Sequence, residues 1–221
     1  MLINFKTYLE ATGKKAVDLA RNFEAVGLDT GVRVGVAPQF CDIEQVAAHV
    51  EIPVYAQHID PIGPGAFTGH VLADSVFAAG ATGTLINHSE RNQKLSEIDK
   101  SVELARRVGL ETVVCAGTAR LGAAVALSEP DMVAIEPPEL IGSGRAVSKE
   151  RPEVITESVK RIRAVNPKVT ILCGAGITTG EDVYAALKLG MEGILVASGV
   201  VKAPDPPQVL RDFCQAVLKF K

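Results

Sequence analysis

Met132-Val-Ala-Ile-Glu136-Pro-Pro-Glu-Leu-Ile-Gly-Ser-Gly-Arg145 runs four apolar residues straight into a carboxylate, then into two prolines and a Gly-Ser-Gly segment. An apolar run without polar alternation reads as a strand covered on both faces. The prolines end it, because they lack an amide proton and fix φ. Glu136 is therefore expected at the C-terminal lip of a buried strand. Two readings fit that position: a base beside a movable flap, as proton transfer requires, or a solvated strand-end carboxylate before an ordinary loop.

Outward from this stretch the same unit recurs. Eight β-like runs are predicted at Leu2–Asn4, Val32–Val36, Val54–Gln57, Thr84–Asn87, Thr112–Cys115, Met132–Ile135, Thr170–Cys173 and Gly193–Val196. Helix-like stretches follow them at Lys14–Val26, Ile43–Val50, Leu72–Ala79, Glu97–Val108, Ala119–Leu127, Glu153–Val165, Glu181–Leu189 and Gln208–Lys219. Val102, Ala105 and Val108 share one helical face while Arg106 and Arg107 turn away. Gly27, Gly80, Gly109 and Gly190 are read as helix C-caps. Ser96 with Asp99 is read as the N-cap of the fourth helix, and Asp205 with Pro206 opens the last.

Alternating β and α units call for a parallel sheet, and eight of them favour closure into a (β/α)8 barrel over an open doubly wound sheet. With no linker or composition shift in 221 residues, one barrel domain spanning 1–221 is expected. Asn4 and Lys6, Gln57, Asn87 and His88, Glu136, Gly174–Gly176, and Ala197 with Ser198 all follow predicted strands. In a barrel these positions meet at the C-terminal mouth.

The bulk numbers exclude several classes. A net charge of −3 and no Lys/Arg block argue against nucleic acid. No apolar run approaches the ~20 residues of a membrane span, and the N-terminal residues do not read as a signal peptide. A cytoplasmic location is expected. The four cysteines, at 41, 115, 173 and 214, share no metal-like spacing and read as reduced structural thiols.

Several residue sets carry chemical possibilities. Asn4 and Lys6 point to one side of an extended chain, where the lysine suits a phosphate or a developing enolate, or is simply a surface charge. Ser89 can cap a short turn that places His88 near amide dipoles, which disfavour its cation. Gly142-Ser143-Gly144, Gly174-Ala175-Gly176 and Ala197-Ser198-Gly199 are turns whose amides can approach an anion, and those after strands seven and eight match the phosphate position common in such barrels.

Taken in order, Asn4-Phe5-Lys6, Ala56-Gln57, Gly65-Ala66-Phe67-Thr68-Gly69, Asn87-His88-Ser89-Glu90-Arg91, Glu136-Pro137-Pro138-Glu139-Leu140-Ile141-Gly142-Ser143-Gly144 and Leu195-Val196-Ala197-Ser198 resemble the triosephosphate isomerase family, in its short archaeal form. The resemblance runs nearly end to end and implies a single (β/α)8 TIM barrel and an aldose–ketose isomerase of glycolysis and gluconeogenesis. Its substrate would be a small phosphorylated triose, with no metal or organic cofactor. The residue roles come with the family and are not deduced from this chain. Glu136 is the base and neutral His88 the electrophile. Lys6 supplies positive potential, Asn4 orients substrate, and Glu90 holds Lys6. Residues 137–147 resemble the family's closing lid, which would bring Ile141 and Gly142 over the phosphate that Gly176, Ala197 and Ser198 would also bind. The short form further implies a homo-oligomer, a tetramer rather than a dimer, with the Thr68 loop reaching a neighbour's site near Asn4.

The chain departs from the family pattern in three places. The lid reads Pro-Pro-Glu-Leu where many relatives have Pro-Val-Trp-Ala. Gly176 stands where a serine is common, with Ser198 where a glycine is. His70 follows Gly69 where a glutamate is common, so that an ion pair to Arg91 across the subunit contact is not expected. Two rival readings are another phosphate-binding barrel, acting on a phosphoribosyl or indole-glycerol substrate, and a non-catalytic barrel that binds a sugar phosphate or serves as a scaffold. The first fits the turns but not the set Asn4, Lys6, His88 and Glu136.

Overall fold

The computed structural model describes residues 1–137 and 150–220. Its eight strands are β1 (Leu2–Asn4), β2 (Gly35–Ala37), β3 (Tyr55–Ala56), β4 (Gly83–Ile86), β5 (Glu111–Ala116), β6 (Met132–Ile135), β7 (Thr170–Cys173) and β8 (Gly193–Val196). All pair in parallel, in the order β2-β1-β8-β7-β6-β5-β4-β3. A single bridge, Val36 to Val54, joins the two ends and brings the sheet round into a barrel.

The helices among the described residues are α1 (Lys14–Thr30), α2 (Ile43–Ala47), α3 (Ala73–Ala78), α4 (Leu95–Val108), α5 (Ala119–Val125), α6 (Pro152–Val165), α7 (Gly180–Lys188), α8 (Ser198–Val201) and α9 (Pro206–Phe220). Eight strands with helices between them make a single (β/α)8 TIM barrel, as the sequence predicts.

The strand period of two divides the core into two parts. Leu2, Tyr55, Leu85, Val113, Cys115, Ala134, Leu172 and Leu195 pack together inside the barrel. The residues between them, such as Ile3, Ile86, Val114, Val133, Ile135, Ile171 and Ile194, face the helices in a larger second cluster. This parity sets up the site, because the next inward position beyond each strand falls at the mouth.

Four strands differ from expectation in their bounds. The predicted strand at 32–36 pairs only from Gly35, which is the partner of Leu2 at the start of β1. Val32 and Val34 are buried instead against the helical layer. The run predicted at 54–57 keeps only Tyr55–Ala56 in the sheet. The fourth strand ends one residue early because Asn87 turns into the left-handed region at φ 60°. The fifth is longer than expected, at Glu111–Ala116.

Helix ends follow the sequence signals less closely than the helices themselves do. Gly27 lies inside α1, and Gly31 at φ 66° is the cap. Gly109 is a left-handed C-cap as predicted; Gly80 and Gly190, both at positive φ, each lie one residue beyond the C-cap, which is Ala79 for α3 and Leu189 for α7. Ser96 does not cap α4, which starts at Leu95. Lys94 is its N-cap, and the Glu97 carboxylate reaches back to accept the Lys94 amide at 2.8 Å. Asp205 does open the last helix, accepting the Gln208 amide at 3.1 Å. Cys115, Cys173 and Cys214 are buried free thiols, and Cys41 is exposed.

Candidate active site

The inward parity lands on Asn4 at the end of β1 and, carried past the strand ends, on Gln57, Asn87, Glu136, Gly174 and Ala197. Glu136 follows Ala134 in this register and is buried, with 3% of its surface exposed. Its Oε2 is the one buried side-chain N or O atom among the described residues without a hydrogen-bond partner. Native proteins satisfy nearly all such atoms, so an orphan of this kind marks a place where something other than folding sets the residue. Burial pushes the carboxyl up to about 7, against the opposing pull of the Cys115 thiol that hydrogen-bonds to it and the Lys6 charge. The side chain fits because its neighbour just past β7 is Gly174. A Cβ there would lie 2.4 Å from Glu136 Cγ.

His88 reaches the same mouth by a different route. The left-handed Asn87 redirects the chain, and that residue is locked by reciprocal bonds with Gln93: the Gln93 amide to Asn87 Oδ1 at 2.8 Å and the Asn87 amide to Gln93 Oε1 at 3.1 Å. Asn87 Nδ2 also donates to the Cys115 carbonyl at 2.9 Å. Ser89 does not cap a helix here. The segment is a tight turn closed by the Arg91 amide donating to the His88 carbonyl at 2.7 Å. The expected amide does reach the imidazole, but it comes from Glu90, whose N–H lies 3.2 Å from Nδ1. Accepting that hydrogen bond makes Nδ1 the lone-pair nitrogen and leaves the ring hydrogen on Nε2. Burial first, then Lys6, lowers the imidazole to about 4, so it is neutral at physiological pH. Its Nε2 stands 3.7 Å from Glu136 Oε1, too far for a hydrogen bond. With His88 neutral this is no ion pair; the two groups flank the cavity.

Lys6 sits in a strained left-handed conformation, φ 46°. Strain of this kind costs roughly 1–3 kcal/mol and persists only where the surroundings enforce it. Asn4 supplies part of that support, its Oδ1 accepting the Lys6 amide at 2.9 Å. The side chain is 11% exposed, and its ammonium is held by Glu90 Oε1 at 2.8 Å. One short turn thus fixes the tautomer of His88 through a backbone amide and the position of Lys6 through a carboxylate.

Around these groups lies a cavity of about 190 Å³, bounded on its far side by Gly174, Gly176, Ala197, Ser198 and Gly199. The turns after β7 and β8 meet so closely that a Cβ on Gly199 would lie 2.6 Å from the Ile177 carbonyl. A larger cavity, about 720 Å³, opens at the opposite end of the barrel. There Arg33 already pairs with Glu111, which also accepts from Tyr55. The smaller one is where a cation, a neutral imidazole and a carboxyl with one unpartnered oxygen converge. Among the described residues no cluster of His, Cys, Asp and Glu could hold a metal.

The triosephosphate isomerase family model matches residues 1–217. The chain belongs to the triosephosphate isomerase family. It is 54% identical to the triosephosphate isomerase of Methanoculleus marisnigri over 212 residues, 96% of each chain. Identity to that of Methanosarcina mazei is 51% over 217 residues, 98% of each chain. For Methanocaldococcus jannaschii it is 47% over 217 residues, 98% of this chain and 99% of the relative.

Asn4, Lys6, His88, Glu136, Gly176, Ala197 and Ser198, the residues that the resemblance pointed to, all line the one cavity. Ile141, Gly142, the Gly142-Ser143-Gly144 turn and nearly all of the expected 137–147 lid lie outside the described residues. Arg91, expected to lack its usual partner, reaches Asp60 Oδ1 of the same chain at 3.4 Å. Asp60 also accepts the Val71 amide at 2.6 Å and pairs with His58 at 3.0 Å. Reading the sequence alone missed the contributions of Cys115 and Gly174. Their signal was parity: Cys115 is an inward position on β5, and Gly174 is the next inward position past β7.

Proposed function

We propose that this isomerase interconverts glyceraldehyde 3-phosphate and dihydroxyacetone phosphate through an enediolate, with Glu136 as the base. The observation that carries this is the buried Glu136 carboxyl, with its Oε2 unpartnered and its Oε1 facing the Nε2 of a neutral His88 across the cavity. Glu136 takes the proton from the carbon beside the carbonyl and returns it to the neighbouring carbon. His88 Nε2–H donates to the carbonyl oxygen as it becomes anionic and moves protons between the two oxygens. A neutral donor suits this work, because its acidity is closer to that of the enediol than an imidazolium's would be. Lys6 stabilises the negative charge, and Asn4 orients the substrate. The phosphate rests on the amides around Gly176, Ala197 and Ser198, and the 137–147 stretch covers it with Ile141 and Gly142. Covering matters because an enediolate exposed to water can lose its phosphate. The proton moves between adjacent carbons, so neither metal nor organic cofactor is required. In this role the protein serves glycolysis and gluconeogenesis in the cytoplasm.

A coupled assay with glyceraldehyde 3-phosphate across pH tests the reading. Glu136 must be ionised to act, so kcat/KM should fall about tenfold per unit as pH drops below about 7. His88 stays neutral through that range, being lowered to about 4. A flat profile between pH 5 and pH 8 would discard the assignment.

The same reading includes a homo-oligomer, a tetramer in preference to a dimer. Its support is the loop around Thr68, where residues 64–70 are exposed and Phe67 shows 46% of its surface. Light scattering should give a multiple of the 23.3 kDa chain mass. A fully active monomer would overturn it.

A further inference from the structure

We infer that Gln57 is a positioning residue for Lys6, and that it acts by closing the one weak seam of the barrel. The seam is visible in the pairing. Seven neighbouring strand pairs form ladders, whereas β2 and β3 share only the isolated Val36–Val54 bridge. At the mouth end of this gap no backbone ladder ties β3 to β2. Gln57 follows Tyr55 in the inward register and spans the gap with its side chain. Its Nε2 donates one hydrogen to the Ala37 carbonyl, the last residue of β2, at 2.9 Å. The other goes to the Lys6 carbonyl, also at 2.9 Å.

Both acceptors bear on the site. Ala37 O also receives the Phe5 amide at 3.0 Å, so it anchors the segment that leads from Asn4 into Lys6. Lys6 has its left-handed backbone gripped from two sides, with Asn4 Oδ1 on its amide and Gln57 Nε2 on its carbonyl. A non-glycine residue at φ 46° relaxes when such grips are removed. Relaxation would swing the ammonium off Glu90 and away from the cavity. An amide is the side chain this place needs, because it offers two hydrogens from one nitrogen to two carbonyls. A carboxylate of the same shape offers none and repels both.

This role rests on Lys6 taking part in the reaction, and the test separates the two claims. Gln57→Glu and Lys6→Met are made singly and together, and kcat/KM is measured with glyceraldehyde 3-phosphate, folding being checked by circular dichroism. Gln57→Glu alone should lower kcat/KM at least tenfold, roughly the worth of one buried hydrogen bond. In the Lys6→Met background the same change should cost less than about twofold, since residues acting through one another are not additive. If Gln57→Glu does not fold, Gln57→Met, which lacks donors and charge, is put through the same cycle. Equal losses in both backgrounds would make Gln57 a barrel staple with no bearing on Lys6 and overturn the inference alone. No loss from Gln57→Glu would do the same. Full activity of Lys6→Met would remove Lys6 from the reaction and this role of Gln57 with it.

Discussion

Glu136→Gln should lower kcat on the order of a thousandfold or more while leaving ligand binding nearly intact. Glutamine keeps the size and burial of the side chain, so Gly174 still accommodates it, but its amide cannot accept a proton from carbon. A thousandfold corresponds to roughly 4 kcal/mol of barrier. The variant should also show an opposite effect on stability. The Glu136 carboxyl rises from an ordinary 4.5 to about 7 on folding. The folded state therefore holds its proton more tightly, and that contribution, complete below pH 4.5, is lost as pH rises through about 7. At pH 8 the wild type bears the cost of a buried anion that the variant does not, an upper bound of roughly 3 kcal/mol. Thermal melts should place the variant above the wild type at pH 8, with the gap closing near pH 4.5. Turnover within tenfold of wild type would remove Glu136 as the base. A variant less stable at pH 8 would contradict the account of its burial.

Much of this was legible in the sequence because barrel physics converts strand ends into a site. Leu2, Ala134 and Leu195 are inward, so Asn4, Glu136 and Ala197 must reach the mouth; that follows from a period of two and needs no coordinates. His88 does not obey the parity. It enters through the left-handed turn at Asn87, and the bonds that enforce the turn come from Gln93, which carries no sequence signal of its own. The capping of His88 illustrates the same limit: an amide near the imidazole was foreseeable, but which residue supplied it depended on a turn closed by Arg91. The β2–β3 seam was invisible for another reason. Strand content predicts how many strands there are, whereas the length of each ladder depends on where the neighbouring strand begins. Gln57 gains its importance from that geometry alone.

Lys6→Met should lower kcat/KM by about 10²–10³, the cost typical of removing one preorganised stabiliser of developing charge. The size of the loss would not by itself separate an electrostatic role from a collapse of the strained backbone, but the pH profile does. Lys6 pulls the Glu136 carboxyl down against the dominant effect of burial. It also adds to burial in lowering His88. Removing its charge should therefore raise both groups. The acidic limb of kcat/KM should move above the wild-type value of about 7, and the imidazole should titrate above about 4 in a histidine-detected NMR titration. Glu90 loses its partner but is 60% exposed on its side chain, so its release should leave stability almost unchanged. A merely structural fault would depress activity at every pH and leave the limb where it was. An unshifted limb with activity within tenfold of wild type would mean that Lys6 is a surface charge, which is the reading its sequence position alone also allowed. A shifted limb would show that the ammonium acts on the site through space, from a conformation that the fold holds against the preference of the residue itself.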